Sequence, residues 1–307
     1  MEFRKAEKRK AKLRLGITGT AGSGKTYGAL LVAKGLGGKT VLLDTENGSG
    51  DLYAGMFDYD VGAIQAPYTV EKYIEGIKQA ESLGYDIIII DSLSHAWAGE
   101  GGLLETVDNI ASASRSGNSY TAWRQVTPMH NKLIEAMLSS TCHIIATMRS
   151  KTEYTLVEND KGRKEPRKIG LAPVQREGMD YEFGVVFDLA VNHMATVSKD
   201  RTSLFDGQVF ALSEATGRTL REWLESGVDI KGRKELLAQL WTRYLAVCGG
   251  QKEQAQKLML SATHGKSRAA DFSEEEMQML VKDIEEREQA TAVRPAEEAD
   301  NAESSND

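Results

Sequence analysis

Cysteine is nearly absent from this chain: two residues in 307, Cys142 inside an apolar run and Cys248 in a helical pattern. Neither is spaced against the other, or against the five histidines, as metal ligands are, which excludes a cysteine-built metal centre and leaves two buried or half-buried thiols. Long hydrophobic runs are missing too. The isoleucine run at 87–90 is far too short to span a bilayer, and no apolar stretch follows the basic N-terminus as a secretion signal requires. The expectation is a soluble, cytoplasmic protein with no membrane partner. The sequence holds no internal repeat.

What is present is enough apolar material, 41 % of residues, for a sizeable core in one large domain or one with an appendage. The net charge of −7 is concentrated at the end: residues 285–307 hold eight acids against two bases. The body is therefore nearly neutral, and two basic patches stand out within it. One comprises Arg4, Lys5, Lys8, Arg9, Lys10, Lys12 and Arg14. The other comprises Lys161, Arg163, Lys164, Arg167 and Lys168. By composition either is a solvated face or a binding site.

The segment Gly19, Thr20, Ala21, Gly22, Ser23, Gly24, Lys25, Thr26 follows a short apolar run and opens a helical stretch, which is the P-loop pattern. Its glycines let backbone N–H groups turn inward around phosphates, Lys25 brings a positive charge to the β and γ oxygens, and the Thr26 hydroxyl is placed to ligate Mg²⁺. A helix N-terminus adds unpaired amides and a favourable dipole. The cofactors implied are ATP and Mg²⁺.

Short apolar strands alternate with helical patterns over residues 13–227, the signature of a mostly parallel twisted sheet flanked by helices in an α/β fold. Strands are expected at 13–18, 40–44, 61–64, 86–91 and 143–148, with helices at 25–36, 69–83 and 129–138. A hairpin follows, with strands at 154–157 and 167–171 around the turn residues 159–162. Strands at 181–191, 194–198 and 208–212 then form a C-terminal antiparallel extension, and a helix at 214–225 closes the core. Beyond it lie short helices at 231–247, 251–261 and 273–287, the last opened by a capping box between Ser273 and Glu276. The boundaries read as a basic arm at 1–12, an ATPase core at 13–227, a small helical region at 228–289 and an acidic, structureless tail at 290–307.

The strand at 86–91 is almost all isoleucine and ends in Asp91, which is how a P-loop protein places a carboxylate behind the magnesium water shell. Capping of the next helix is the plainer role for Asp91. No glutamate follows it, so the residue that orients and deprotonates water must come from another strand end. Glu46, just past the strand at 40–44, fits because strand carboxyl ends converge on the ligand crevice of an open parallel sheet; an ordinary loop carboxylate is the alternative.

These pieces, with Val41 through Glu46, Asp51 through Ala54, Ile90-Asp91-Ser92 and Ala146 through Lys151 in that order, resemble the RecA-type recombinase core. The wording of 91–102, 118–128, 148–154 and 173–183 is similar to phage AAA-type ATPases related to RecA-like single-strand annealing proteins. The resemblance covers about 13–227 and implies a RecA-like P-loop NTPase, an ATP hydrolase, in the cytoplasm of a bacterial host. It sets Glu46 where RecA-like proteins carry the catalytic glutamate. It sets Thr147 where recombinases usually have a γ-phosphate-sensing glutamine, a departure that leaves sensing to Thr147 with a water or to Arg149. Lys199 and Arg201 fall where filaments and rings offer two cations to the nucleotide of a neighbouring subunit, which implies a homo-oligomer, ring or filament; a solvated strand-end pair is the alternative.

The resemblance also implies DNA-binding loops at 111–125 and 151–176. The first carries Arg115, Tyr120, Trp123 and Arg124; the second carries Lys151, Lys161, Arg163, Lys164, Arg167 and Lys168. Cations beside aromatics suit sequence-tolerant single-stranded DNA binding, although Tyr120 and Trp123 can equally pack inward. Two roles stay open for the basic arm, docking on a neighbour or DNA contact, and two for the acidic tail, competition with DNA or solubility. The leading reading is an ATPase that binds single-stranded DNA and promotes annealing or strand exchange in phage recombination or replication, with single-strand-binding or replication proteins as further partners. A loader ATPase acting on protein partners is the second, and a small-molecule kinase fits the residues less well.

Overall fold

The computed structural model describes residues 6–114, 118–158, 164–263, 265, 266 and 268–303. One unit is Ala11–Glu225; the other joins the described residues up to Lys10 to those from Ser226 onward. The first carries strands β1 (Arg14–Gly19), β2 (Thr40–Asp44), β3 (Asp60–Ala63), β4 (Ile87–Asp91), β5 (His143–Glu158), β6 (Lys164–Pro173), β7 (Val185–Leu189), β8 (Met194–Asp200) and β9 (Val209–Ala211). Its helices are α1 (Lys25–Leu36), α2 (Val70–Ser82), α3 (Ser94–Ala98), α4 (Leu103–Ala113), α5 (Ser119–Ser139) and α6 (Glu214–Glu225).

The sheet runs β3-β2-β4-β5-β1-β7-β8-β9, with β6 paired to β5 outside that path. Pairing is parallel from β3 to β7 and antiparallel through β8 and β9, the mostly parallel sheet with an antiparallel extension that the alternating pattern predicts. Side chains alternate along a strand, so β4 feeds both faces. Ile88 and Ile90 join Val41, Leu43, Ile144 and Ala146 against α2, α4 and α5. Ile87 and Ile89 join Leu15, Ile17, Leu42 and Phe187 against α1 and α6. The second face is drawn tight by two glycines: a Cβ on Gly217 of α6 would lie 2.8 Å from the Cα of Gly35 on α1 and would strike the Val32 carbonyl.

Several expectations change, and the strands read at 143–148 and 154–157 run together as β5. The helix read at 129–138 begins ten residues earlier, because Ala122, Val126, His130, Leu133 and Met137 form one buried stripe that carries the helix through Pro128. The expected DNA loop at 111–125 is consequently mostly helix, the end of α4 and the first turns of α5, with Asn118 accepting the Tyr120 N–H as N-cap. The strand read at 181–191 shortens to β7, preceded by a 3-10 turn at Met179–Glu182.

The second unit holds α7 (Ile230–Val247), α8 (Lys252–Ala262) and α9 (Glu274–Glu303) around Leu240, Tyr244, Ala255, Phe272, Leu280 and Ile284. The capping box forms in both directions: Glu276 accepts the Ser273 N–H at 2.7 Å, and Ser273 Oγ accepts the Glu276 N–H at 3.1 Å. The arm belongs to this unit, where Lys8 and Lys10 exchange backbone bonds with Val228 and Lys10 pairs with Asp229 at 3.4 Å. Helix α9 continues as far as Glu303 through the stretch expected to be structureless, across Pro295. Among the described residues no helix is long and apolar enough to cross a membrane.

Candidate functional site

At the end of β1 the chain turns through the P-loop into α1, and its glycines are there for backbone reasons. Gly22 and Gly24 have φ of 77° and 87°, where a Cβ is strained, and a Cβ on Gly19 would meet Ser23 Oγ and, at 2.8 Å, the Leu189 carbonyl. No side chain caps the N-terminus of α1, so its first amides are left for an anion. Lys25 lies back across the loop, donating to the Thr20 carbonyl at 2.8 Å. Burial lowers its ammonium below the ordinary lysine value, against the pull of Asp91 and Glu46, while Arg149 lowers it further. His193, at the β7–β8 turn, abuts the same loop with Nδ1 3.1 Å from the Ser23 carbonyl oxygen, a contact that no motif announces.

Asp91 closes β4 beside this loop and is 2 % exposed. The Thr26 hydroxyl donates to its Oδ2 at 2.5 Å and the Thr147 hydroxyl, from β5, to its Oδ1 at 2.5 Å. Burial raises the Asp91 carboxyl above its ordinary value, opposed by the bonds from Thr147 and Thr26. Carboxylate and hydroxyl oxygens are the hard donors Mg²⁺ takes, and Mg²⁺ characteristically uses one or two protein oxygens with water and substrate phosphates. Among the described residues no cluster of three His, Cys, Asp or Glu side chains is placed to hold a metal unaided. Thr26 and Asp91 therefore fit a magnesium ion that arrives with a triphosphate.

Glu46 is delivered by the loop after β2, and Asp44 shapes that loop. Its carboxylate accepts the N–H of Glu46 at 2.6 Å, of Gly48 at 2.8 Å and of Gly50 at 3.3 Å. Thr45 anchors the other side: its hydroxyl oxygen accepts the Ser92 N–H at 2.8 Å and lies 2.6 Å from His95 Nδ1. The His95 ring stacks on Tyr68 at 4.8 Å. Two strands from β2, Arg149 reaches over to donate from Nε to Oε1 of Glu46 at 3.0 Å and from Nη2 to Oε2 at 2.5 Å. Burial works to raise the Glu46 carboxyl, but its hydrogen bond and charge pairing with Arg149 prevail and hold it below the usual glutamate value.

The tertiary structure thus assembles Lys25, Thr26, Glu46, Asp91 and Thr147 at one end of the sheet. Lys199 and Arg201 sit elsewhere. Lys199 is paired with Val186 near the start of β7, whereas the P-loop end of β1 pairs with Leu189 at its close. Lys199 donates to the carbonyls of Asp180 and Tyr181 at 2.9 and 2.7 Å, and Arg201 to that of Tyr181 at 3.4 Å.

Of the residues expected at DNA, Arg115, Lys161 and Arg163 lie outside the described residues. Lys151 is exposed on β5, and Lys164, Arg167 and Lys168 occupy β6 opposite Glu158, Thr155 and Tyr154. Tyr120 is 76 % exposed on α5. Trp123 instead stacks on Trp97, centroids 5.6 Å apart, with the Arg176 guanidinium 5.7 Å from its ring. Tyr120, Trp123, Arg124 and Arg176 line an open hollow of about 430 Å³; Arg176, the last residue of the expected loop at 151–176, was not among its expected DNA contacts.

Residues 11–220 match the family model for an AAA domain. No curated protein matches the chain.

Proposed function

The chain belongs to the AAA domain family, whose members are nucleotide-binding ATPases, and from that premise we propose that it hydrolyses ATP with Mg²⁺ while acting on single-stranded DNA. The observation that carries the hydrolytic part is Asp91, held between the Thr26 and Thr147 hydroxyls one strand away from Glu46. In this reading the P-loop amides and Lys25 bind the β and γ phosphates, and Thr26 with Asp91 holds the metal. A Mg²⁺ ion held by Thr26 and Asp91 would supply positive charge to offset that of the triphosphate. Glu46 orients water and takes its proton as the water oxygen bonds to the terminal phosphorus and the bond from that phosphorus to the β–γ bridging oxygen breaks, releasing ADP and phosphate.

The finer reading is a RecA-related oligomer that anneals or exchanges DNA strands in phage recombination or replication. Lys199 and Arg201, remote from their own P-loop, suit service to a neighbouring subunit's nucleotide. Exposed Tyr120, Arg124 and Lys151, with the basic sequence of the β5–β6 hairpin, suit a phosphate backbone with stackable bases. A loader ATPase acting on proteins is the second reading, favoured by the separate helical unit with its own core.

Phosphate release with and without single-stranded DNA, for the wild type, Lys25→Ala and Glu46→Gln, tests the proposal. Expected are DNA-stimulated hydrolysis by the wild type, loss of nucleotide binding in Lys25→Ala, and retained binding with about 10²-fold or greater loss of turnover in Glu46→Gln. Hydrolysis indifferent to DNA, without salt-sensitive DNA binding, would remove the recombinase reading and leave the loader.

A further inference from the structure

The Glu46–Arg149 pair stands where a water-activating carboxylate has to be free. Both carboxylate oxygens are engaged by one guanidinium, at 3.0 and 2.5 Å, and Ser92 Oγ donates to Oε1 at 3.3 Å. A carboxylate whose lone pairs point at a fixed cation is a weaker base, and less of it remains to meet a water.

The pair is also built to come apart. Arg149 closes the parallel part of β5, in register with Gly19, the first glycine of the P-loop. Its backbone is pinned, the N–H donating to Ser94 Oγ at 2.9 Å and the carbonyl accepting the Val174 N–H at 2.6 Å, so the freedom lies in the side chain. That side chain is 47 % exposed and Glu46 26 % exposed, and a half-solvated ion pair is weak. Lys25, which marks the β and γ phosphate positions, feels the charges of both partners. A multiply charged phosphate entering there competes for the guanidinium with a single carboxylate, and the planar fork of arginine matches phosphate as well as it matches carboxylate.

We propose that Arg149 changes partners on ATP binding, passing from Glu46 to the terminal phosphate, so that the same event that grips the γ-phosphate frees the carboxylate to work on water. This rests on the ATP-hydrolysing reading above and adds to it a device specific to the triphosphate: ADP, with no γ-phosphate to offer, leaves Glu46 latched. Arg149 is then a γ-phosphate-binding residue as well as the restraint on Glu46.

The test is the affinity of the full-length protein for a slowly hydrolysed ATP analogue and for ADP, each with Mg²⁺, by titration calorimetry. The wild type, Glu46→Gln, Arg149→Gln and the double variant are compared. Releasing Arg149 from Glu46 is expected to tighten the ATP analogue about fivefold in Glu46→Gln, the equivalent of a weak ion pair, and to leave ADP unchanged. Arg149→Gln is expected to weaken the analogue, and in its background Glu46→Gln should confer nothing further. Should Arg149→Gln fail to fold, Arg149→Lys replaces it, since an ammonium cannot fork two oxygens, and the Glu46→Gln gain should shrink there. A gain of equal size in both backgrounds, or for ADP as much as for the analogue, reflects lost negative charge alone and overturns the exchange. Wild-type protein that binds neither nucleotide overturns the ATPase reading itself; wild type that binds and hydrolyses ATP without this coupling overturns only the exchange.

Discussion

Thr147 donates its hydroxyl to Oδ1 of Asp91 at 2.5 Å from the neighbouring strand, leaving Oδ2 to Thr26. Both residues are buried, so the bond fixes the carboxylate plane without help from solvent. Thr147→Val keeps shape and strand propensity but leaves that oxygen unsatisfied, and is expected to lower unfolding free energy by about 1–2 kcal/mol. Turnover should fall with it. Thr147→Ser should recover both, as read by denaturant unfolding and phosphate release.

Asp44 organises the loop that carries Glu46 through three backbone N–H groups. Asp44→Asn retains one acceptor oxygen and turns an amide NH2, itself a donor, toward the N–H groups on the other side. A shift of about 1 Å in Glu46 is enough to slow turnover by about 10²-fold. Steady-state kinetics should therefore show kcat falling while nucleotide affinity stays close to wild type, since the P-loop is not touched.

Gly217 and Gly35 let α6 and α1 cross with backbones almost in contact. Gly217→Ala raises helix propensity yet drives a methyl group into the Val32 carbonyl, and overpacking prevails over propensity. The expected loss is about 3 kcal/mol of stability, measured by denaturant unfolding. A neutral or stabilising result would show that the two helices separate at little cost.

His143 accepts the Leu13 N–H on Nδ1 at 3.0 Å, and its imidazole is pushed down to about 4 by burial, with Lys12 and Arg14 adding to the effect. The folded value lies below the unfolded one, so the contribution is complete above about pH 6.5 and is lost as pH falls toward 4, where the unfolded chain takes the proton first. Unfolding free energy should drop by up to about 3 kcal/mol across that window from this group. In His143→Gln, which keeps an acceptor and cannot titrate, the wild-type minus variant difference should carry that slope.

Much of the fold and part of the site were legible because they are written in local codes. The P-loop needs positive φ at Gly22 and Gly24, which only glycine supplies cheaply, and β4 announces itself as an isoleucine run ending in a carboxylate. Helix α5 was under-read because Pro128 locally contradicts a helix that buried residues on both sides of it sustain. Asp44 left a faint trace, an aspartate ahead of Asn-Gly in a loop-forming stretch. Gly35 and Gly217 left none, since each makes sense only against the other.

The sequence by itself determined an α/β chain with a P-loop pattern, an aspartate closing an isoleucine strand and a glutamate at a second strand end, because strand alternation, helix periodicity and glycine backbone freedom act over a few residues. Tertiary structure alone decided that Glu46 meets Arg149, 103 residues away, and that Lys199 and Arg201 stand at the far end from their own P-loop. Those relations follow from strand order and direction in the sheet, which no local pattern encodes.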